Sequence, residues 1–175
     1  FATTRSPTRD YFDRALTSFN YLYAKSCYSS ISPSLITALF RSGNYEGPAK
    51  LIIDYPSSIE VIASIIVISD LFMNLMKVDP TTDKFKDICM IIIYMLKFDM
   101  NFTYQIPNEL DWDKVLAVIF DSTIDINTRS LVASIASACV PYHKSLRFLC
   151  TNQNFANQIK FEISKVSNPP FFTKW

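Results

Sequence analysis

The sequence predicts an all-α protein, and two features of its composition support that prediction. Only two of the 175 residues are glycine, Gly43 and Gly47, whereas a chain of this length contains roughly 12 on average. Tight hairpins and phosphate-binding loops need residues that tolerate positive φ, so glycine scarcity disfavours both. Apolar residues make up 49% of the chain, and they recur at helical steps of three and four. We expect one helical domain over residues 1–168 and an aromatic tail over residues 169–175.

The N-terminal part is predicted to hold short helices joined by polar turns. A wide apolar stripe predicts the first helix from Thr8 to about Ser29. Ser32-Pro33 begins a second helix, because proline suits the first helical position. That helix ends before Gly43, and a brief helix is expected over residues 48–54.

The centre of the chain is predicted to form two buried helices. Ser57-Ser58-Ile59-Glu60 has the pattern of a capping box and is expected to begin one helix that continues to about Val78. The next begins after Asp83 and ends near Phe98. β-Branched runs such as Ile65-Ile66-Val67 leave a strand possible by periodicity alone, but length and caps favour helices. Neither of the two most apolar segments is expected to span a membrane. Residues 59–76 are interrupted by ionisable residues, and residues 88–96 are only about half a span long.

The C-terminal part is predicted to continue the short helices. After an irregular loop over residues 99–109, a helix is expected from Leu110 to Ser122. Asn127 or Thr128 is predicted to cap the next helix, which continues to Val140. Pro141 begins a short helix that ends at Cys150, and Asn152 caps the last one. The total is eight or nine short helices, arranged either as an irregular stack or as a closed bundle.

Residues 127–166 resemble an armadillo-type repeat in the order and length of their helices. The two short helices would be Thr128–Val140 and Tyr142–Cys150, and the third would be Asn154–Val166. An earlier segment, roughly residues 32–78, matches more loosely. The glycine that usually separates the first two helices is absent, and Pro141 takes its place. The resemblance to armadillo and HEAT proteins implies a right-handed superhelix acting as a non-catalytic scaffold, which binds peptides or proteins along its third helices.

Few residues suggest catalysis. His143 is the one histidine, with Cys139 four residues before it and Cys150 seven after. A Cys–His pair is disfavoured because Pro141 interrupts the helix, and seven helical positions separate two residues by about 10 Å. We expect a partly exposed structural histidine. Glu109, Asp111 and Asp113 are explained by a helix start, where carboxylates meet unpaired N–H groups. Nucleotide-binding and hydrolase motifs are absent, and we expect no enzyme, cofactor or metal site.

Charge is distributed unevenly along the chain. Residues 1–41 carry a net charge of +3, residues 42–126 carry −7 and residues 127–175 carry +5, which total the +1 of the whole chain. The basic C-terminal segment predicts a surface for an acidic protein segment or, as the alternative, for a nucleic-acid backbone. A near-neutral overall pI disfavours the nucleic acid. The predicted partner-binding residues are Arg129, Lys144, Arg147, Lys160, Lys165, Phe171, Phe172 and Trp175. Interleaved aromatic residues could supply further contacts, but residues at helical spacing are more often in the core, where we expect them; they are Phe148, Phe155, Phe161 and Phe171.

The cysteines bear on the cellular compartment. Cys27, Cys89, Cys139 and Cys150 form no C-x-x-C pair, so buried free thiols and a reducing, intracellular location are expected. One glycosylation sequon, Asn101-Phe102-Thr103, keeps a secreted origin open.

Overall fold

The computed structural model describes residues 7–151, 157 and 161, and within them it confirms an all-α protein. Residues 7–151 form nine α-helices and two 3₁₀ helices and hold no strand. The α-helices are α1 Pro7–Ala24, α2 Pro33–Arg41, α3 Glu46–Asp54, α4 Ser58–Ile65, α5 Ile68–Leu75, α6 Asp83–Phe98, α7 Trp112–Phe120, α8 Ile126–Cys139 and α9 Lys144–Cys150. The 3₁₀ helices are Tyr28–Ser30 and Met100–Gln105. The second lies in the segment 99–109 that was expected to be irregular.

The chain divides into two compact units, Phe1–Ile66 and Val67–Trp175. The first unit contains α1 to α4, and the second contains α5 to α9. A single domain over residues 1–168 stays a prediction, and the predicted tail over residues 169–175 lies outside the described residues.

In the first unit, α2 contacts α1, α3 and α4. The Ser32 hydroxyl accepts a hydrogen bond from the Leu35 N–H, and Pro33 begins α2 as the sequence predicts. Gly43 follows the helix with a φ of 75°, the left-handed conformation that glycine adopts without steric cost. Gly47, in the first turn of α3, lies against Phe19 and Leu39.

Aromatic rings line one side of the same unit. Phe19 and Tyr23 stack with their ring centroids 5.8 Å apart, and Tyr28 and Tyr55 stack at 5.9 Å. Tyr23 also contacts Tyr28, which joins the two pairs into a row. The Tyr23 hydroxyl donates a short hydrogen bond to the carboxylate of Asp54 at the end of α3. Burial, that hydrogen bond and the Asp54 charge together raise the pKa of Tyr23 to about 12.

The prediction of one helix from Ser57 to Val78 is wrong. Ile66 and Val67 adopt extended backbone between α4 and α5, and both are β-branched, a class with restricted χ1 freedom in helices. The capping box also fails, because the Ser57 side chain accepts no capping hydrogen bond. No single helix among the described residues is long and apolar enough to cross a membrane. The bent pair α4 and α5 reaches that length and composition only when its two helices are taken together.

The second unit is built around α6. Its buried side chains include Ile88, Ile91, Ile92 and Met95, and the helix packs against α5, α8 and the 3₁₀ helix 100–105. α8 packs against both α6 and α7. A helix buried on most of its circumference forms the core of a helical domain.

Aspartates begin or stabilise several turns of this unit. Asp111 accepts from the Lys114 N–H as predicted for the start of α7. Asp125, not Asn127 or Thr128, caps α8: its Oδ2 accepts from the N–H groups of both those residues, at 3.0 and 3.2 Å. A carboxylate placed before the helix can reach two N–H groups that lack partners inside it. The expected cap residues are therefore its donors.

Candidate functional site

The last described helix, α9, is the part of the predicted basic segment that the structure shows most fully. It begins at Lys144, three residues later than predicted, because Pro141 and Tyr142 lie in the turn that follows α8. Leu146 is buried, whereas Lys144, Arg147 and Phe148 are exposed. Leu149 and Cys150 are half-buried, so the fully exposed side chains lie on the opposite face of this short helix.

His143 precedes α9 and is buried, with 4% of its surface exposed. The expectation of a partly exposed histidine is therefore wrong. Its Nε2 lies 3.1 Å from the Thr103 carbonyl oxygen. Because a carbonyl can only accept, Nε2 carries the proton of this hydrogen bond. The imidazole also lies against the Trp112 ring at 5.6 Å. Its role is to attach the α8–α9 turn to the 3₁₀ helix 100–105.

Two exposed tyrosines are in contact with each other directly beside the His143–Thr103 hydrogen bond. Tyr104 follows Thr103 and Tyr142 precedes His143, and their rings form an edge-to-face pair with centroids 5.4 Å apart. Tyr104 is 72% exposed and Tyr142 38%. Each tyrosine has one buried neighbour, Thr103 or His143, which holds its large amphipathic ring at the surface. Exposed tyrosine rings are common at protein interfaces.

Cations adjoin the tyrosine pair. The Arg147 guanidinium donates a short hydrogen bond to the carbonyl of Pro141, the residue before Tyr142. Lys144 lies two residues after Tyr142, and Phe148 is one helical turn beyond Lys144 on the same side of α9. We call Tyr104, Tyr142, Lys144, Arg147 and Phe148 the tyrosine–cation surface. Tyr104 and Tyr142 were not among the predicted site residues.

Phe148 corrects another expectation. Its helical spacing suggested a core position, but it is 79% exposed, and Phe161 is 60% exposed. Leu146 takes the inward position of α9 instead.

Of the remaining predicted partner-binding residues, the structure describes only Arg129, which is not part of the tyrosine–cation surface as defined above. Arg129 lies in the first turn of α8 and is half-buried. Hydrogen bonds from the Thr123 hydroxyl and N–H lower the pKa of Asp121, and the charge of Arg129 adds to that effect. The other five, Lys160, Lys165, Phe171, Phe172 and Trp175, lie outside the described residues.

The thiols beside His143 are not activated. Burial raises the pKa of Cys139 to about 12, and burial also raises the pKa of Cys150. A catalytic thiolate needs the opposite shift, which a nearby positive charge or hydrogen-bond donor produces. All four cysteines are free; Cys27 is exposed, and Cys89 and Cys139 are buried.

Comparison with protein-family models, with curated proteins and with solved structures finds no match to this chain. The class of protein is therefore inferred from the geometry of the tyrosine–cation surface.

Proposed function

We propose that this chain is a non-catalytic binding protein that holds an acidic segment of another protein on its tyrosine–cation surface. One observation carries the proposal: Tyr104 and Tyr142 are exposed, in contact with each other, and attached to buried structure through Thr103 and His143. Tyrosine and arginine are enriched among the residues that contribute most to protein binding. Rigid rings lose little conformational entropy when a partner binds.

The chemistry of the partner follows from the charges. Lys144 and Arg147 are exposed cations on α9, and the tyrosines supply apolar rings with hydroxyl groups. An extended segment that combines Asp or Glu with an apolar residue complements both features. Complementary charge raises the association rate and favours the correct partner over others.

Two wider expectations belong to this proposal. The first is an armadillo/HEAT-like frame in which α8 and α9 supply the two short helices. Of the expected third helix, residues 154–166, only 157 and 161 are among the described residues. The second is an intracellular location, which the four free cysteines support.

The test is a selection from a random peptide library displayed on phage, using the whole chain, followed by Kd measurements on the enriched peptides. We expect enrichment of acidic peptides with an aromatic or aliphatic residue. The variant Tyr104→Ser/Lys144→Glu/Arg147→Glu should bind them at least tenfold more weakly, with Tm within a few degrees of wild type.

The matched control is Lys25→Glu/Arg41→Glu, which reverses two exposed cations in the first unit and should leave Kd nearly unchanged. Equal weakening in this control would mean that net charge alone determines binding. Selection of peptides without acidic residues would contradict the proposal. So would strong binding to nucleic acid with a steep dependence on salt, which indicates release of counterions from phosphates.

A further inference from the structure

A cleft of about 360 Å³ opens in the second unit, between the C-terminal end of α5 and the helix α7. Its volume falls within the ~300–1,000 Å³ typical of small-molecule sites. None of the five residues of the tyrosine–cation surface lines it. The apolar part of the lining consists of Leu75, Met76, Val78, Pro80, Phe85, Val115 and Val118.

Two lysines stand in the lining of this cleft. Lys114 extends from α7, and its Nζ donates to the Met76 carbonyl oxygen at 3.1 Å. Met76 is the C-cap of α5, where helix carbonyls lack partners and carry partial negative charge. An ammonium group has three donors, so one of them holds Lys114 against the wall while the group still presents its positive charge. Lys77, the residue after Met76, is exposed and is the second cation of the lining.

The carboxylate that also lines the cleft is held by its own turn. Asp79 Oδ1 accepts from the Thr81 N–H at 2.9 Å and from the Thr81 hydroxyl at 2.7 Å. These two hydrogen bonds keep the pKa of Asp79 below its ordinary value. The lining therefore carries two cations and one carboxylate, a net positive charge beside an apolar wall.

We propose that this cleft binds an aliphatic monocarboxylate, with its alkyl chain on the apolar wall and its carboxylate at Lys77 and Lys114. Charge complementarity selects an anion, and the apolar lining selects a hydrocarbon chain over a hydrophilic metabolite. A phosphate head group is expected to bind more weakly, because neither cation is an arginine that could bind it with a planar pair of donors.

The test uses the whole chain and sodium decanoate below its micellar concentration, with 1-decanol as the uncharged analogue and decyltrimethylammonium as the cationic one. Calorimetry should show saturable one-to-one binding of decanoate. Methyl NMR shifts should be confined to Leu75, Val78, Val115 and Val118. Decanol should bind at least tenfold more weakly, and the cationic analogue should not bind.

Variants separate the head group from the chain. Lys77→Gln/Lys114→Gln should lower the affinity for decanoate at least tenfold and leave the affinity for decanol unchanged. Lys77→Gln alone keeps the Lys114–Met76 hydrogen bond and should lower the affinity for decanoate by a smaller factor. This variant tests the contribution of the lysines even if the double variant folds poorly. Lys25→Gln/Arg41→Gln makes the same change of net charge at two exposed positions outside the cleft and should bind decanoate as wild type does.

Three results would overturn the proposal: equal affinity for decanoate and decanol, non-saturable uptake with methyl shifts spread over the protein, or wild-type decanoate affinity in both cleft variants. Peptides selected on the tyrosine–cation surface serve as a competitor. Displacement of decanoate by such a peptide, with shifts at the same methyl groups, would assign the cleft to a peptide side chain and would also count against a monocarboxylate site.

Discussion

His143 donates a hydrogen bond from Nε2 to the carbonyl oxygen of Thr103, a residue 40 positions earlier in the chain. The bond joins the α8–α9 turn to the 3₁₀ helix 100–105, and it brings Tyr142 against Tyr104. We therefore expect the position of the tyrosine pair to depend on this one buried side chain.

Replacing His143 with phenylalanine should show that dependence. His143→Phe keeps an aromatic ring beside Trp112 but leaves the Thr103 carbonyl without its donor, which costs about 1–3 kcal/mol of unfolding free energy. Urea denaturation measures that loss. NMR of the Tyr104 and Tyr142 ring protons should show that their contact is weakened. If stability and ring shifts both match the wild type, the hydrogen bond does not position the pair.

Tyr23 should make stability depend on alkaline pH. Its pKa is about 12 in the folded protein and lies near 10 when it is exposed. A raised pKa means that the folded state favours the protonated phenol, so this stabilisation is complete below about pH 10 and is lost as pH rises towards 12. Tyr23→Phe should cost about 0.5–1 kcal/mol at neutral pH, and the difference from wild type should shrink above pH 10. Tyr21→Phe, at an exposed position of the same helix, should show no such change. A difference that stays constant from pH 8 to 11 would contradict the assignment.

Asp125 should matter for α8 where the predicted caps do not. Asp125→Ala removes the acceptor of two N–H groups and should lower the unfolding free energy by about 0.5–2 kcal/mol. Asn127→Ala, at the position predicted from sequence, should change it by less than about 0.5 kcal/mol. Thermal or urea unfolding of both variants measures the contrast, and equal losses would mean that capping is shared.

Gly47 should not tolerate a larger side chain. A Cβ at this position would lie 3.0 Å from Leu39 Cδ1 and from Phe19 Cε1, and both side chains are buried. Gly47→Val should cost about 1–3 kcal/mol because atoms are forced into a filled core. The unfolding free energy from urea titration measures this. A variant as stable as the wild type would show that α1 and α2 move apart at little cost.

The cysteines should differ strongly in reactivity. At pH 8, a thiol reagent should modify the exposed Cys27 first, whereas Cys139 and Cys89 should react only after unfolding, because burial hinders access and raises their pKa values. Mass spectrometry of labelled peptides over time measures the order. Rapid labelling of Cys139 in the folded protein would contradict this order and would support the hypothesis of a Cys–His pair with His143.

Local features of the fold could be predicted from the sequence, and features that depend on distant contacts could not. Ser32-Pro33 begins a helix where the pattern indicates, because capping needs only neighbouring residues. The interruption at Ile66–Val67 carries no glycine or proline to signal it. Asp125 was not predicted as the cap because Asp125, Asn127 and Thr128 are all residue types that cap helices. Only the geometry shows which residue accepts the hydrogen bonds and which two donate them.

The candidate site was predicted only in part. Lys144 and Arg147 follow from the charge of the C-terminal segment. Tyr104 and Tyr142 are 38 residues apart, and no spacing rule brings such residues together. The acidic middle of the chain was assigned no site, and in the structure Asp79, Asp99 and Asp121 each accept a backbone N–H in their own turn. Much of that negative charge is explained by local structure.

The 3₁₀ helix 100–105 also bears on the Asn101-Phe102-Thr103 sequon. Thr103 is buried, and its hydroxyl donates to the Met100 carbonyl at 2.7 Å, although Asn101 is exposed. A glycosyltransferase that must engage this threonine cannot do so in the native conformation. Any sugar on Asn101 would have to be attached during synthesis, before this turn forms, and its presence on the purified protein would record where the nascent chain was made.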